Sequence, residues 1–442
     1  MYVCIDLKSF YASVECADRG LDPFTTNLIV ADPERSHTTI CLAITPAMKD
    51  LGIRNRCRVF EIPPNVTYIM AKPRMKKYME VSAQIYKIYL RYVSPEDIHV
   101  YSIDECFINV EPYLELYHTN PFDFAELLMG EVFKETGICA TAGVGTNLFL
   151  AKVALDITAK HSPTNIGFLD EERFKKEIWH HRPITDIWNV GPGIARRLEK
   201  YGVMDLHGIT RLNPDTLYKE FGVNALYLID HAHGQEPCTI EDIHNYKPQS
   251  TSLASGQVLP CAYTYEEGLI VLKEMVDALV LKIVKQNKVT CRISLTVGYD
   301  VAQLKLIYPD LFIDDETFTG QHGKQHLKRS GSTFTGASKK LTQSTDSLRT
   351  LSAHFCELYE QHVDKHLMIR RINITLADLT PKEFEQLSLF DSLEENEQEA
   401  RLQKTVIQVK ERFGKNALLK GISFTEKATA RERNEQVGGH HA

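Results

Sequence analysis

This sequence lacks closely spaced pairs of cysteines, although it contains ten cysteines. None of them lies in a CxxC pair, the spacing typical of zinc and thiol-redox sites. The spacing therefore argues against a zinc site and favours a reducing compartment, in which most of the thiols serve as small buried hydrophobic groups.

The sequence also lacks an apolar run long enough to cross a membrane. Residues 269–284 come nearest, but charged residues interrupt them, so this segment predicts an amphipathic helix. The first residues predict a strand rather than a secretory signal. We therefore expect a globular cytoplasmic protein without a membrane partner, and its 442 residues predict several domains.

An excess of basic residues, which many DNA-binding proteins show, is missing as well. Lys and Arg number 51 against 58 Asp and Glu, so the formal net charge is −7. Part of this acidity is confined to residues 391–399. Nucleic-acid binding depends on local basic patches rather than on the total charge, so the balance does not exclude a DNA-binding protein.

Carboxylates at predicted strand ends are the most informative feature that is present. Asp6 ends a short apolar run, and Asp104 with Glu105 separates two runs rich in β-branched and aromatic residues, 98–103 and 106–110. These runs predict a hairpin with the acids at or near its tip. Three carboxylates brought together repel one another unless a cation lies among them, and oxygen ligands suit Mg²⁺. Taken separately, each acid could instead be a solvated turn residue or a helix N-cap.

Three motifs around these acids resemble those of a known enzyme family. They are residues 6–15, which begin Asp6-Leu7-Lys8-Ser9-Phe10-Tyr11, then Tyr101-Ser102-Ile103-Asp104-Glu105, and residues 142–154, which begin Ala142-Gly143-Val144-Gly145-Thr146-Asn147. In order and separation they resemble the motifs of Y-family translesion DNA polymerases. Within that family the chain looks most like the UmuC branch, the catalytic subunit of DNA polymerase V and its relatives.

The resemblance implies a multidomain α/β (α+β) fold, shaped as a right-hand polymerase. Its parts would be a palm (1–10 and 78–170), small fingers (11–77), a helical thumb carrying a helix-hairpin-helix (171–241), a little-finger domain (242–380) and a C-terminal tail with a clamp-binding peptide (381–442). Within the little finger, apolar periodicity predicts a helix near 265–287 and a strand near 291–299.

The same resemblance assigns roles to the motif residues. Asp6 and Asp104 would bridge two Mg²⁺ ions, Glu105 would complete the ion nearer the primer end, and the carbonyl of Leu7 would add a ligand. Tyr11 would be the steric gate, because a bulky ring leaves no room for the 2′-hydroxyl of a ribonucleotide. A plain core aromatic is the alternative for Tyr11.

Lysines are the candidates for binding the triphosphate. Lys160 matches the palm lysine that reaches the phosphates in the family. Residues 45–49 lack the Tyr and Arg that many relatives carry, so Lys49, Arg54 and Arg56 are candidates for the second contact. Plain surface charge is the alternative for each of these three.

A helix-hairpin-helix is predicted at residues 189–198. Gly191 and Gly193 would form a tight turn that exposes backbone N–H groups to a DNA phosphate, and Ile194, Arg196 and Arg197 follow on the next helix. Such contacts ignore base sequence, which suits a polymerase that slides along DNA.

Residues 319–346 are polar and basic, and they predict a mobile loop between strands. Lys324, Lys328 and Arg329, with Lys339 and Lys340, would contact phosphates of the template. A solvated loop without DNA contact is the alternative.

A short peptide, residues 386–390, resembles the segment by which bacterial polymerases bind the sliding clamp. Leu387, Leu389 and Phe390 would anchor in an apolar pocket, and Gln386 would supply hydrogen bonds. Docking of these residues onto their own protein is the alternative.

Together these features predict a template-directed DNA polymerase for error-prone translesion synthesis in DNA repair and the SOS response. It would add deoxynucleoside triphosphates to a primer 3′-hydroxyl on primer-template DNA, in the bacterial cytoplasm at the nucleoid. Some UmuC relatives need accessory subunits or a recombinase filament, which the sequence leaves open. One alternative is a catalytically weak regulator of replication restart that binds DNA and the sliding clamp. A nucleotide cyclase is the other, because palm-like folds also hold paired metal carboxylates.

Overall fold

The computed structural model describes residues 1–34, 38–248, 251–309, 333–382 and 393–441. They form two compact units, of which the first comprises Met1–Lys247 with His441 and the second comprises Pro248–His440. None of the described helices is both long and apolar enough to cross a membrane.

The first unit mixes strands and helices along the chain. Its strands are β1 (Tyr2–Leu7), β2 (Leu28–Val30), β3 (Ala43–Ile44), β4 (Ile69–Ala71), β5 (Ile98–Val100), β6 (Glu105–Asn109), β7 (Ala140–Gly145) and β8 (Ile166–Leu169). Its helices are α1 (Phe10–Ala17), α2 (Pro46–Asp50), α3 (Met75–Tyr89), α4 (Glu111–Leu116), α5 (Pro121–Thr136), α6 (Leu148–Val153), α7 (Glu171–Glu177), α8 (Pro192–Glu199), α9 (Leu206–Thr210), α10 (Pro214–Phe221), α11 (Ala225–Ala232) and α12 (Ile240–Asn245).

A five-stranded sheet in the order β5-β6-β1-β7-β8 organises this unit. β7 and β8 are parallel, and the other neighbours are antiparallel. Successive side chains of a strand point to opposite faces. Val3 and Ile5 therefore pack with α3 and α5, whereas Cys4 packs against α6 on the other face, the face to which Asp6 also belongs.

Glycines in β7 allow α6 to lie directly on the sheet. A Cβ at Gly143 would stand 2.1 Å from the carbonyl oxygen of Ala151, and one at Gly145 would stand 2.2 Å from the Ala151 nitrogen. Only glycine leaves room for such a close backbone approach. A π-helical turn, Ala154–Thr158, continues α6.

Two smaller substructures complete the first unit. β3, β2 and β4 form a separate sheet in that order, with its own apolar core. Helices α7 to α11 surround another core, which includes Phe149, Phe174 and Leu217.

The second unit is an antiparallel sheet covered by helices. Its strands are β9 (Leu253–Tyr263), β10 (Lys288–Tyr299), β11 (Phe334–Thr345), β12 (Ile369–Ala377) and β13 (Thr380–Pro381), and its helices are α13 (Tyr265–Lys285), α14 (Val301–Ile307), α15 (Leu348–His362), α16 (Leu393–Phe413) and α17 (Ala430–Asn434). The strand order is β11-β10-β12-β9, with β13 beside β10. α13 and α15 bury their apolar residues against one face. Two-residue strands β14 (Gln436–Val437) and β15 (His440–His441) follow α17.

The segment between α16 and β14 is held by α13. The backbone N–H groups of Thr429 and Ala430, at the start of α17, donate to Glu274 Oε2 at 2.8 and 3.1 Å. Lys420 pairs with Asp277 at 2.9 Å. A carboxylate is stabilised by the free N–H groups of a helix start, so Glu274 fixes this part of the chain on α13.

The prediction of a loop over 319–346 is wrong for its second half. Residues 334–345 form β11, which pairs with β10 from Gly298–Phe334 to Thr290–Thr345. Alternate residues of β11 are exposed, so polar Ser, Thr and Lys side chains fit its outward positions. Residues 310–332, which contain Lys324, Lys328 and Arg329, lie outside the described part of the chain.

The chain after residue 380 also contains more structure than a tail. A 21-residue helix, α16, spans Leu393–Phe413. Ser347, at the start of α15, donates to Glu399 at 2.8 Å, so α16 belongs to the second unit. The predicted clamp peptide, Gln386, Leu387, Leu389 and Phe390, falls in 383–392 and lies outside the described residues.

Candidate active site

Strand pairing brings the three predicted carboxylates together at one end of the sheet. Asp6 in β1 stands opposite Glu105, the first residue of β6. The Leu7 N–H donates to the carbonyl of Asp104 at 2.9 Å, which fixes the residue before β6 against the end of β1. Ser102 donates to Asp104 Oδ1 at 2.6 Å and orients that carboxylate.

The negative charges of these three carboxylates repel one another. Burial, followed by the charges of Asp104 and Glu105, raises the pKa of Asp6 to about 7. Burial also raises the pKa of Glu105. These half-buried carboxylates lie close together at a cost in free energy, and all of their ligand atoms are oxygen. Such a group suits a hard divalent cation such as Mg²⁺.

Lys152 belongs to this cluster, and the sequence analysis missed it. Its ammonium group on α6 contacts Glu105 and also donates to Asp156 Oδ1 at 3.0 Å. Burial opposes the charge of Lys152, but Asp156 and Glu105 raise its pKa above the ordinary value. A signal was present, because Lys152 lies in the third motif four residues before Asp156, the spacing of a helical ion pair.

Tyr11 lies beside the carboxylates on the first turns of α1. Its half-buried ring stacks on Tyr78 with centroids 4.5 Å apart, and the Tyr78 hydroxyl donates to Glu15 at 2.8 Å. Burial and the charge of Asp104 raise the pKa of the Tyr11 hydroxyl, while Arg56 lowers it. Tyr78 was not singled out from the sequence, because only the packing of α3 brings it to α1.

Lys49 is affected by burial, by Asp6 and by the charges of two other lysines. Burial and the charges of Lys160 and Lys8 lower the pKa of Lys49, whereas Asp6 raises it. The Lys8 amide donates to the carbonyl of Cys139 at 2.9 Å, and its ammonium group contacts Asn165. The charges of Lys160, the other predicted triphosphate ligand, and of Lys8 therefore reach Lys49.

The predicted helix-hairpin-helix residues lie at the start of α8. Gly191 is the N-cap, Gly193 follows in the first turn, and a Cβ at either would meet open space. Arg196 is exposed. Arg197 donates to Glu220 at 2.8 Å and covers the Phe221 ring, so it also ties α8 to α10. Ile194 packs against the core of these helices.

Comparison with known proteins places the chain in a family. A model of the impB/mucB/samB family matches residues 5–156, and the model of that family's C-terminal domain matches residues 251–389. The two segments together cover more than half of the chain. The protein therefore belongs to the impB/mucB/samB family and is a Y-family translesion DNA polymerase by class.

Individual relatives align with nearly the whole length of this chain. The putative UV-damage repair protein UvrX of Bacillus subtilis is 29% identical over 99% of this chain and 97% of its own length. DNA polymerase IV 2 of Halalkalibacterium halodurans is 28% identical over 99% and 98%. A solved Y-family polymerase chimera of Dbh and Dpo4 matches with a TM-score of 0.60 at 19% identity, covering 86% of this chain and 99% of that one. That structure confirms the predicted multidomain polymerase fold.

Proposed function

We propose that this protein copies damaged DNA templates in DNA repair and the SOS response, extending a primer by nucleotidyl transfer with low fidelity. One observation carries the proposal: Asp6, Asp104 and Glu105 meet at adjacent strand ends, in the motifs by which the sequence resembles polymerases. The raised pKa of Asp6 supports it, because burial and then the neighbouring carboxylates disfavour its charge, and a bound cation would offset both effects.

Two Mg²⁺ ions are the proposed cofactors, and Asp6, Asp104, Glu105 and the carbonyl of Leu7 would hold them. When bound, such ions favour the ionised primer 3′-hydroxyl and stabilise the leaving pyrophosphate. The chain's own residues prepare the site: Ser102 orients Asp104, and Lys152 contacts Glu105 and opposes the rise in its pKa that burial causes.

Tyr11 would select the deoxynucleoside triphosphate, and Lys49 and Lys160 would hold it. The Tyr11 ring is supported from behind by Tyr78, so it would resist displacement by a 2′-hydroxyl. Lys49 and Lys160 would bind the phosphates as point charges, and phosphate charge would favour the ammonium form of Lys49, whose pKa is lowered by burial and then by the charges of Lys160 and Lys8.

Primer-template DNA would contact two surfaces. In the first unit, the exposed backbone at Gly191 and Gly193 would bind a phosphate. In the second unit, the sheet face opposite α13 and α15 carries mostly small and polar side chains together with exposed Lys340 and Arg371. Sequence-independent phosphate contacts would follow from both. Binding of the sliding clamp through residues 386–390 stays a prediction.

Primer extension in Mg²⁺ on undamaged and lesion-bearing templates tests the proposal. Wild type should extend both, and Asp104→Ala should extend neither because a metal-holding carboxylate is lost. Glu126→Gln, an exposed carboxylate on α5, is the matched control and should extend normally. Extension by Asp104→Ala at the wild-type rate would contradict the assigned site.

The alternative, a DNA- and clamp-binding regulator without useful catalysis, predicts a different result. Wild type would then bind primer-template DNA but extend it under no condition, with or without accessory subunits and a recombinase filament. The UmuC branch also stays a prediction, since relatives named DNA polymerase IV match the chain.

A further inference from the structure

A cluster of potential metal ligands lies among the helices of the first unit, in residues that the proposed polymerase reaction does not use. The ligand atoms of His180, Asp205 and His207 all lie within 4.8 Å of one another. His180 Nδ1 is 3.5 Å from Asp205 Oδ2, and the two imidazole rings have centroids 4.7 Å apart. Two imidazoles and one carboxylate are thus grouped without any contact to Asp6, Asp104 or Glu105.

The surrounding backbone holds these ligands in place. The His207 N–H donates to the carbonyl of Trp179 at 3.1 Å, which ties the start of α9 to the segment carrying His180. Asp205 is the N-cap of α9, and its Oδ1 accepts from the Gly208 N–H at 2.9 Å. Oδ2 of the buried Asp205 therefore remains on the side of the two histidines.

The carboxylate of Asp205 already forms an ion pair with an arginine. Arg182 donates to Asp205 Oδ2 at 3.0 Å, but its side chain is 63% exposed. The exposed arginine can turn into solvent, where water replaces its hydrogen bond to the carboxylate. A metal ion held by two histidines as well could take its place.

We propose that His180, Asp205 and His207 form a binding site for one Zn²⁺ ion, with water as the fourth ligand. Imidazole nitrogen and carboxylate oxygen are common zinc ligands, and three protein ligands with an open position make a recognised zinc geometry. Mg²⁺ prefers oxygen ligands alone, so the site would discriminate against it. The bound ion would fasten the segment after α7 to α9.

Calorimetric titration of the full chain with Zn²⁺ tests the site. Excess Mg²⁺ is present throughout to occupy the Asp6 cluster, and all proteins carry His440→Ala and His441→Ala, since adjacent C-terminal histidines also bind zinc. In this background we expect one Zn²⁺ per chain. His180→Ala with His207→Ala should weaken binding by at least about 100-fold, because two of three protein ligands are lost. His181→Ala, whose ring contacts Asp186 instead, is the matched control and should bind as the background does.

A second measurement separates binding from folding. Zn²⁺ should raise the Tm of the background protein, because a ligand that binds only the folded state stabilises it, and should leave the double variant unchanged. The side chain of His180 is 68% exposed, so His180→Ala alone should fold normally and still lose affinity. Absence of saturable Zn²⁺ binding in the background protein, or equal affinity in the background protein and the double variant, would overturn the proposal.

Discussion

At the scale of single residues, Tyr11 holds its position because its ring lies on the ring of Tyr78. If Tyr11 excludes the 2′-hydroxyl, Tyr11→Ala should lower the preference for deoxynucleotides over ribonucleotides by about 10- to 200-fold, the range expected for one steric contact. The ratio of kcat/KM for the two nucleotides measures it. Tyr11→Phe keeps the ring and should retain the preference; unchanged discrimination in Tyr11→Ala would rule out the gate.

Glu15 is the buried charge behind this pair of rings. It accepts from Arg74 Nε and from the Tyr78 hydroxyl, each at 2.8 Å, and pairs with Arg19. Burial opposes its charge, but hydrogen bonds from Arg74, Arg19 and Tyr78 hold its pKa below the usual range. A carboxylate with a lowered folded-state pKa stabilises the protein fully above its unfolded pKa, and this contribution is lost as the pH falls through the folded value.

Glu15→Gln should therefore lower the free energy of unfolding at pH 7 by about 2 kcal/mol, a modest value because the arginines are partly exposed. The difference from wild type should shrink as the pH falls below the ordinary glutamate pKa of about 4.3. Urea unfolding at several pH values measures this. Glu80→Gln, an exposed site on α3, should change stability little at any pH.

At the scale of elements, the seating of α6 on β7 decides where Lys152 lies. A Cβ at Gly143 would collide with the Ala151 carbonyl and push α6 outward. Gly143→Ala should cost about 1–3 kcal/mol of stability, as overpacking does, and should reduce primer extension by moving Lys152 from Glu105. Thermal unfolding and extension rates measure both effects.

Gly130→Ala provides the contrast for that experiment. Gly130 lies within α5, where a Cβ would meet nothing within 4 Å. Alanine favours a helix by about 1 kcal/mol over glycine, so this variant should be as stable as wild type or more so, with normal extension. Equal behaviour of the two variants would show that the close approach at β7 is not required.

The same elements show what could be predicted from the sequence. The placement of Asp6 and Glu105 at strand ends could be predicted, because each lies in a short motif whose strand pattern is local. Tyr78 could not, since it reaches Tyr11 only after α3 packs on the sheet. β11 was missed for a related reason: its Ser, Thr, Gly and Lys residues read as a loop, and the strand forms through hydrogen bonds to β10 that sequence periodicity does not reveal.

At the scale of the whole molecule, the net charge of −7 must be reconciled with DNA binding. Lys340 stands opposite Arg292 on β10, and Arg371 stands opposite Gly298 on the same strand. Arg292 and Gly298 are an even number of positions apart, so the exposed Lys340 and Arg371 lie on the same face of the second sheet. Arg292 itself pairs with Asp378 at 2.8 Å. Local basic residues of this kind release counterions from DNA whatever the total charge of the protein.

Affinity for primer-template DNA should therefore fall steeply as salt rises, in spite of the acidic total. Lys340→Ala with Arg371→Ala should weaken binding equally on unrelated base sequences and should reduce the slope of log K against log salt by about 2, one for each phosphate contact. Fluorescence anisotropy across a salt series measures the slope. Lys76→Ala with Lys176→Ala removes the same charge from exposed positions on α3 and α7 and should leave the slope unchanged. An equal reduction by both pairs would mean that total charge, rather than this face of the sheet, governs the binding.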